Sequence, residues 1–307
     1  MLTETKEPLR FRISHDMVHA FADLTGDHSS LHVDPEYGEE CMFGQNIVHG
    51  MLPLGFLFFL NPNFSLHRLS ARFAKPVFIN DLLTLELTTS TPSAQDNLLE
   101  AEFSFREDRS SAIVTTGNLV LAPGTTAPMV SRSHALTVSR SPIPIVPLQQ
   151  QTLELAQIQK GDTAEFAFHI TAAHALALEQ FLVEGLLDGA PAHALALSRS
   201  HAPPNFLSLC MISTFVGMSI PGKHAMLLNF QAAFQRSLEL DHDYRFRAEV
   251  IFKSTSTATL LKNFVISDPA AGHDVLAAGK INSLVRKHPH SAPLASIAER
   301  EAARVKG

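Results

Sequence analysis

The chain has no tryptophan, two tyrosines and two cysteines among its 307 residues. The two thiols, Cys41 and Cys210, lie far apart and form neither a CxxC pair nor a disulfide framework, so the expected address is a reducing, cytoplasmic compartment. Basic charge is also scarce. The 24 Lys and Arg stand against 30 Asp and Glu for a net charge of -6, and no stretch concentrates cations, which excludes a nucleic-acid partner. No apolar run reaches the roughly 20 residues that a bilayer span needs. The longest, Ile47 to Leu60, is interrupted by His49, Pro53 and two glycines, so it reads as a buried core helix and no membrane partner is expected. The opening MLTETKEPLRFR lacks the apolar centre of a signal peptide and the Arg/Ser bias of a transit segment. What is present is a packed composition, 45% hydrophobic and 18% charged with 21 Phe, on a chain long enough for two cores.

Along the chain, Leu9 to Ile13 reads as a short strand, Ser14 as an N-cap, and Met17, Val18, Phe21 and Leu24 as the inner face of a helix ending at Gly26. A turn-rich loop follows, closed by Pro35, which biases Asp34 towards extended geometry. After the apolar run come four strands: Ser70 to Val77, Leu82 to Thr89, Leu98 to Phe105 and Ala112 to Leu121. Residues 123–151, dense in Pro, Ser and Thr, read as a linker. Then the order repeats: a strand Thr163 to Ile170, a helix Ala172 to Val183 capped by Thr171, an apolar helix Phe206 to Met218, and further strands. ARFAKPVFINDLLTLEL, around Phe73, matches AAFQRSLELDHDYRFRAEV, around Phe234, with one inserted residue. A tandem duplication explains the repeat; two unrelated α+β units sharing an element order by chance is the alternative. The remaining strands are Thr257 to Ser267 and Val275 to Val285, and a terminal helix is expected over Ala295 to Val305.

The segment from Phe21 to Leu52 holds a carboxylate and an imidazole five positions apart, Asp27 and His32. On a helix that separation leaves the side chains about 140° apart, and on a strand it puts them on opposite faces, so only a loop lets them converge. Gly26 and the intervening HSS supply one. On spacing alone the pair remains open between a joint acid/base site and two unrelated residues, one in a turn and one on a strand face. Two i, i+4 pairs, His15/His19 and His28/His32, offer a metal reading with Asp27 or Asp34, but the loop breaks any common helix and no metal is expected.

The whole segment resembles the signature of the MaoC-like, R-specific enoyl-CoA hydratase family, also called hydratase 2. Phe21, Leu24, Thr25, Gly26, Asp27, Leu31, His32, Asp34 and Pro35 stand at the family's positions. Ser29 and Ser30 stand where the family has Asn-Pro, and Gly38 where it usually has Ala, which bears on loop rigidity and substrate contacts. IVHGML resembles the family's entry into its central helix. The resemblance covers residues 9–121 and extends to the second half only as architecture.

The resemblance implies an α+β tandem, or double, hot-dog, each half a long helix wrapped by an antiparallel sheet. The implied division is 1–122 catalytic, 123–151 linker, 152–290 a second, non-catalytic hot-dog that covers the acyl chain, and 291–307 a tail or helix. It implies a hydro-lyase that interconverts a 2-enoyl thioester and an (R)-3-hydroxyacyl thioester without a cofactor. His32 would be the base that takes a proton from water, and Asp27 would hold the same water and shuttle a proton to C2. Ser29, Ser30, His49, Gly50 and Met51 are the expected substrate-binding residues, with the Gly50 N–H favoured over the His49 ring as donor to the enolate-like thioester oxygen. Phe56, Phe58 and Phe59 are candidates for an acyl tunnel or for core filling. The expected partners are an acyl-CoA or acyl carrier protein thioester and a second copy in a homodimer. Alternatives are a 3-hydroxyacyl-acyl carrier protein dehydratase of fatty-acid or polyketide synthesis, and a non-catalytic acyl-binding partner subunit. In the second half, Asp188 and His193 are again five apart, but the rest of the signature is missing around them.

Overall fold

A computed structural model describes residues 8–60, 64–89, 98–123, 142–186 and 204–286. The chain opens as the sequence predicts. Strand β1 (Leu9–Arg12) alternates, with Leu9 and Phe11 buried and Arg10 and Arg12 exposed. In α1 (His15–Thr25) the Ser14 side chain accepts from the Met17 N–H, and Met17, Val18, Phe21 and Leu24 face inwards. Gly26 ends the helix with φ 72°, a left-handed conformation that glycine reaches without strain, and its N–H closes on the Ala22 carbonyl. The short helices α2 (Ser30–Val33) and α3 (Pro35–Glu40) follow; Asp34, extended before Pro35, caps α3 by accepting from the Tyr37 N–H.

The strands β2 (Phe64–Phe73), β3 (Leu82–Thr89), β4 (Leu99–Glu107) and β5 (Ala112–Pro123) complete the first half. The second half comprises β6 (Thr163–Ile170), α4 (Ala172–Gly185), α5 (Pro204–Thr214), β7 (Ala225–Phe234), β8 (His242–Ser254), β9 (Thr259–Asp268) and β10 (Asp274–Val285). All ten strands form one antiparallel sheet in the order β1-β3-β4-β5-β2-β7-β10-β9-β8-β6. The order is a palindrome of the repeat. At its centre Ser70 pairs with Gln231 and Ala71 with Phe230, so a pseudo-twofold axis relates each residue of β2 to one 161 positions on, the offset of the Phe73/Phe234 match. Gly117 and Gly279 occupy equivalent places: a Cβ would run into the Ser70 carbonyl in one half and the Gln231 carbonyl in the other. One continuous apolar core joins the halves, from Phe11, which stacks on Phe56 at 3.7 Å between ring centroids, to Phe246 and Phe264 at 5.4 Å.

The halves differ in their central segment. The expected long helix over Ile47 to Leu60 is not formed. Ile47 bridges Phe78, Gly50 to Leu52 make a turn, and Pro53–Leu60 is a 3₁₀ helix. Pro53 has no N–H to give to an α-helical ladder and its ring clashes with the preceding turn, which stops a helix from running through from Ile47 and makes Pro53 the first residue of the 3₁₀ segment. The second half alone keeps the buried helix, α5, which runs on into a π-helical turn at Phe215–Ser219. The later part of the expected linker is packed: Ile143 is fully buried, its N–H donates to the Leu24 carbonyl at 2.8 Å, and Ile143 O accepts from the His169 N–H. The 124–141 stretch, the Asp188/His193 pair and the expected terminal helix lie outside the described residues. Among the described residues no helix is long and apolar enough to cross a membrane.

One core residue opposes folding. Lys262 on β9 is fully buried, and its Nζ donates to Ser283 Oγ at 2.5 Å and lies 3.4 Å from the Ile220 carbonyl. Among the described residues no carboxylate pairs with it, and burial pushes the amine down to about 7. Between pH 7 and the ordinary lysine range the unfolded chain holds a proton that the folded chain has shed, so stability rises with pH across that window and is lowest below it. Lys262→Met is expected to add about 2 kcal/mol at pH 7, after the lost Ser283 bond is set against the relieved desolvation, and to flatten that pH dependence. Urea unfolding of both proteins between pH 6.5 and 10 measures this, and an unchanged slope would show that Lys262 stays charged.

Candidate active site

The excursion from Gly26 to Gly50 is held by its own small core, Leu31, Tyr37, Cys41 and Ile47, with Phe43 and Phe78 packed against it. It is also pinned to the second half, where Tyr37 Oη donates to the Lys223 carbonyl at 3.0 Å and accepts from Arg286 at 3.1 Å. Within the excursion, Asn46 Nδ2 reaches the carbonyls of Ser30, Leu31 and Asp34. The segment that joins Asp27 to His32 is therefore a built structure, with Asp27 just after α1 and His32 on α2.

Asp27 is completely buried. Its Oδ1 accepts from the Ser29 N–H at 3.3 Å, and its Oδ2 accepts from Ser213 Oγ at 2.6 Å. Burial pushes its carboxyl above the ordinary carboxylate range, against the pull of His32, Ser213 and Ser29. Ser213 comes from α5, in the other half. Thr214 beside it donates to the Thr25 carbonyl, so α5 is bonded to both sides of Gly26. The helix comes this close because Gly217 has no side chain: a Cβ there would strike Asp27 Oδ1 and lie 3.0 Å from Ser29 Cβ.

His32 is partly buried, and its Nδ1–H donates to the Ile47 carbonyl at 2.8 Å. A carbonyl can only accept, so the proton is on Nδ1 and Nε2 is left as a bare base. The ring lies against that of His49, with centroids 3.9 Å apart. Burial first, and His49 second, push His32 down to about 3, while Asp27 and the Ile47 carbonyl oppose the shift. His49, also driven down to about 3 by burial, donates from Nε2 to the Asp27 carbonyl at 2.9 Å, and its buried Nδ1 has no hydrogen-bond partner among the described residues. Both imidazoles are thus neutral, and the 3.9 Å approach of His49 Nε2 to Asp27 Oδ2 is not an ion pair.

Asp27, Ser29, His32, His49 and Gly50 line one cavity of about 180 Å³ whose walls include Val48, Phe73, Val77, Thr115, Val216 and Leu227. The structure does not bring the other two expected binding residues there. Ser30 turns its hydroxyl to Gln150, and Met51 is buried in the main core. Phe56 and Phe58 likewise pack in the core, on Phe11 and Phe206, while Phe43 and Phe73 line the cavity. A wider cleft of about 570 Å³, between strands at the seam of the halves, is lined by Ser70, Arg72, Glu86 and Glu102 and holds none of the site residues. His15 and His19 touch each other on the surface and His28 faces Asp23, so the two i, i+4 pairs do not converge. Asp27, His32 and His49 have donor atoms within 4.8 Å of one another. Two of their nitrogens are committed to carbonyls, which leaves two bare nitrogens, His32 Nε2 and His49 Nδ1, beside a carboxylate that already accepts from Ser29 and Ser213.

The reading of the sequence missed Ser213, Gly217 and Gln150. A signal existed: Ser213-Thr214 and Gly217 interrupt the apolar run Phe206 to Met218, and buried hydroxyls need partners.

Known proteins resemble this chain in sequence over its first third and in fold over most of its length. Residues 2–101 match the family model described as MaoC like domain. A 45-residue segment is 47% identical to 3-hydroxyacyl-thioester dehydratase Z of Mycobacterium tuberculosis (strain ATCC 25618 / H37Rv), over 15% of this chain and 30% of that relative. Among solved structures, a MaoC-like dehydratase aligns over 92% of this chain and 97% of its own, with TM-score 0.65 and 10% identity. A conserved hypothetical protein of Mycobacterium tuberculosis described as having a double hotdog fold aligns over 90% and 93%, with TM-score 0.60 and 10% identity. The fold is a double hot-dog. The match to the MaoC-like domain model spans the first third of the chain and includes the Asp27/His32 loop.

Ser213 should matter only when Asp27 is charged. Its hydroxyl holds down the Asp27 pKa, so removing it raises the folded-state value further and costs stability as pH climbs through that value, with little cost in acid where the carboxyl is already protonated. Ser213→Ala is expected to lose about 1–3 kcal/mol in denaturant unfolding at pH 8 and less at pH 5. Equal losses at both values would mean that the hydroxyl serves packing alone.

Proposed function

We propose that this protein is a hydro-lyase of acyl thioesters, converting a 2-enoyl thioester and water to an (R)-3-hydroxyacyl thioester and back, with Asp27 and His32 as the acid/base pair. The observation that carries this reading is a buried carboxyl with a raised pKa beside a neutral imidazole with a bare Nε2, both on one small, largely apolar cavity. Support comes also from the segment shared with a 3-hydroxyacyl-thioester dehydratase.

The chemistry follows from those two states. His32 Nε2 removes a proton from water as the oxygen bonds to C3, and Asp27, protonated in the closed site, delivers its proton to C2. The imidazolium then returns a proton to the Asp27 carboxylate, so the net change is one water added. Negative charge that grows on the thioester oxygen is met by the N–H of Gly50, a residue of the cavity wall in the turn before Pro53. Dehydration is the same sequence reversed. Coenzyme A is the proposed carrier, and the R configuration follows from the resemblance to hydratase 2.

Asp27→Asn and His32→Ala are each expected to reduce hydration of crotonyl-CoA or a longer 2-enoyl-CoA by roughly 100-fold or more, with the circular dichroism spectrum retained. Loss of the enoyl-thioester absorbance measures it, and near-native rates in both variants would sink the assignment. The pH profile is a second test. With His32 held near 3, its base form is complete throughout the usual assay range, so kcat/KM shows no acid-side fall around the ordinary imidazole value of about 6.5. The rate falls instead on the alkaline side, as the raised Asp27 carboxyl gives up its proton. A tenfold drop per unit below pH 6.5 would show that His32 titrates as a free imidazole.

A further inference from the structure

Ser30 is the first residue of α2, two before His32, and Gly217 is the residue of the π-helical turn that lies against Asp27. One side chain touches both. Ser30 Oγ donates to Gln150 Oε1 at 2.8 Å, and Gln150 Nε2 donates to the Gly217 carbonyl at 2.9 Å. The orientation of the amide is unambiguous, because the Gly217 carbonyl can only accept and the nitrogen must face it. Gln150 itself leaves a tethered backbone: the Gln151 N–H donates to the Met218 carbonyl and the Gln151 carbonyl accepts from the Lys223 N–H, both at 2.8 Å.

The need for such a brace is visible in α2. It has four residues, too few for a helix to hold itself, and its N-cap Ser29 makes no side-chain capping bond. Asn46 grips the carbonyls of Ser30, Leu31 and Asp34, and nothing in that set refers α2 to the half that supplies Ser213. Gln150 makes that connection. Resting on the Asp27/His32 reading of function, we propose that Gln150 is a positioning residue that indexes the His32 helix to the α5 turn abutting Asp27, doing across the two halves what a stiffer Ser29-Ser30 backbone would do locally.

Three variants test it in the intact chain. Gln150→Ala removes both bonds, and Gln150→Glu keeps the acceptor for Ser30 but loses the donor to Gly217. In Gln150→Ala/Ser30→Pro the proline stiffens the start of α2, where Ser29, with ψ 130°, already has the extended geometry that precedes proline and the first helical position accepts it. Gln150→Ala is expected to lower kcat for enoyl-thioester hydration by about 10- to 100-fold, the scale set by small misplacements of reacting groups, while KM moves less than about twofold. Gln150→Glu lies between, and the proline restores kcat. Amide hydrogen exchange over residues 29–34 speeds up in Gln150→Ala and slows again with the proline, while exchange in the sheet is unchanged. Unchanged exchange at 29–34, or faster exchange with kcat intact, would overturn the proposal. If the wild-type protein hydrates no enoyl thioester, it is the functional reading that fails, and the exchange comparison still decides whether Gln150 holds α2.

Discussion

A carboxylate with no exposure to water has to be given hydrogen-bond donors by the protein, and at Asp27 they come from both halves of the chain. The Ser29 N–H is local, but the shorter bond is from Ser213, and it exists only because β2 and β7 pair and carry α5 alongside the loop after α1. Much of the molecule can be read as what that bond requires. Gly217 leaves room for the oxygen, Thr214 fixes α5 to the Thr25 carbonyl, and Tyr37 ties the far side of the excursion to Lys223 and Arg286. The seam is thus an interior feature of the site.

The duplication explains both the symmetry and its failure. The pseudo-twofold axis through the Ser70–Gln231 pair equates the sheets strand by strand, yet the two central segments have diverged. The first half gives up its helix at Pro53 and keeps the long excursion that presents Asp27 and His32. The second keeps an apolar helix that fills the core, offering a serine from α5 and a glycine from the π-helical turn after it. A helix in the first half would compete for the volume that the excursion and the 3₁₀ segment occupy, so division of labour between the halves is a packing consequence as much as a chemical one.

Electrostatics at the site run opposite to a conventional ion pair. Burial drives the carboxyl up and both imidazoles down, so each group is pushed towards its neutral form. A neutral acid beside a neutral base can exchange protons with a substrate without first separating charge in a dry cavity. Lys262 shows the same physics, as a buried amine whose hydrogen-bond partners among the described residues are a hydroxyl and a carbonyl.

Local chemistry is legible in one dimension where short-range rules dominate. Ser14 and Gly26 bracket α1 as cap and stop, Asp34 and Pro35 set up α3, and the period-two strands and the 161-residue offset announce the repeated sheet. The Asp27 and His32 pair is left open by its spacing and stands out only through the signature of residues around it. What the sequence could not determine is what depends on contacts far apart along it. Pro53 marks a break, but that the segment tightens to 3₁₀ while only the second half forms its long helix is settled by how the two central segments share one core. That Ser30 faces Gln150, 120 positions on, that Met51 is swallowed by the core, and that Ser213, 186 positions on, completes the Asp27 shell are decided by contacts distant along the chain. A buried carboxyl is satisfied by whichever donor the fold brings within reach, and only the paired sheet determines which donor that is.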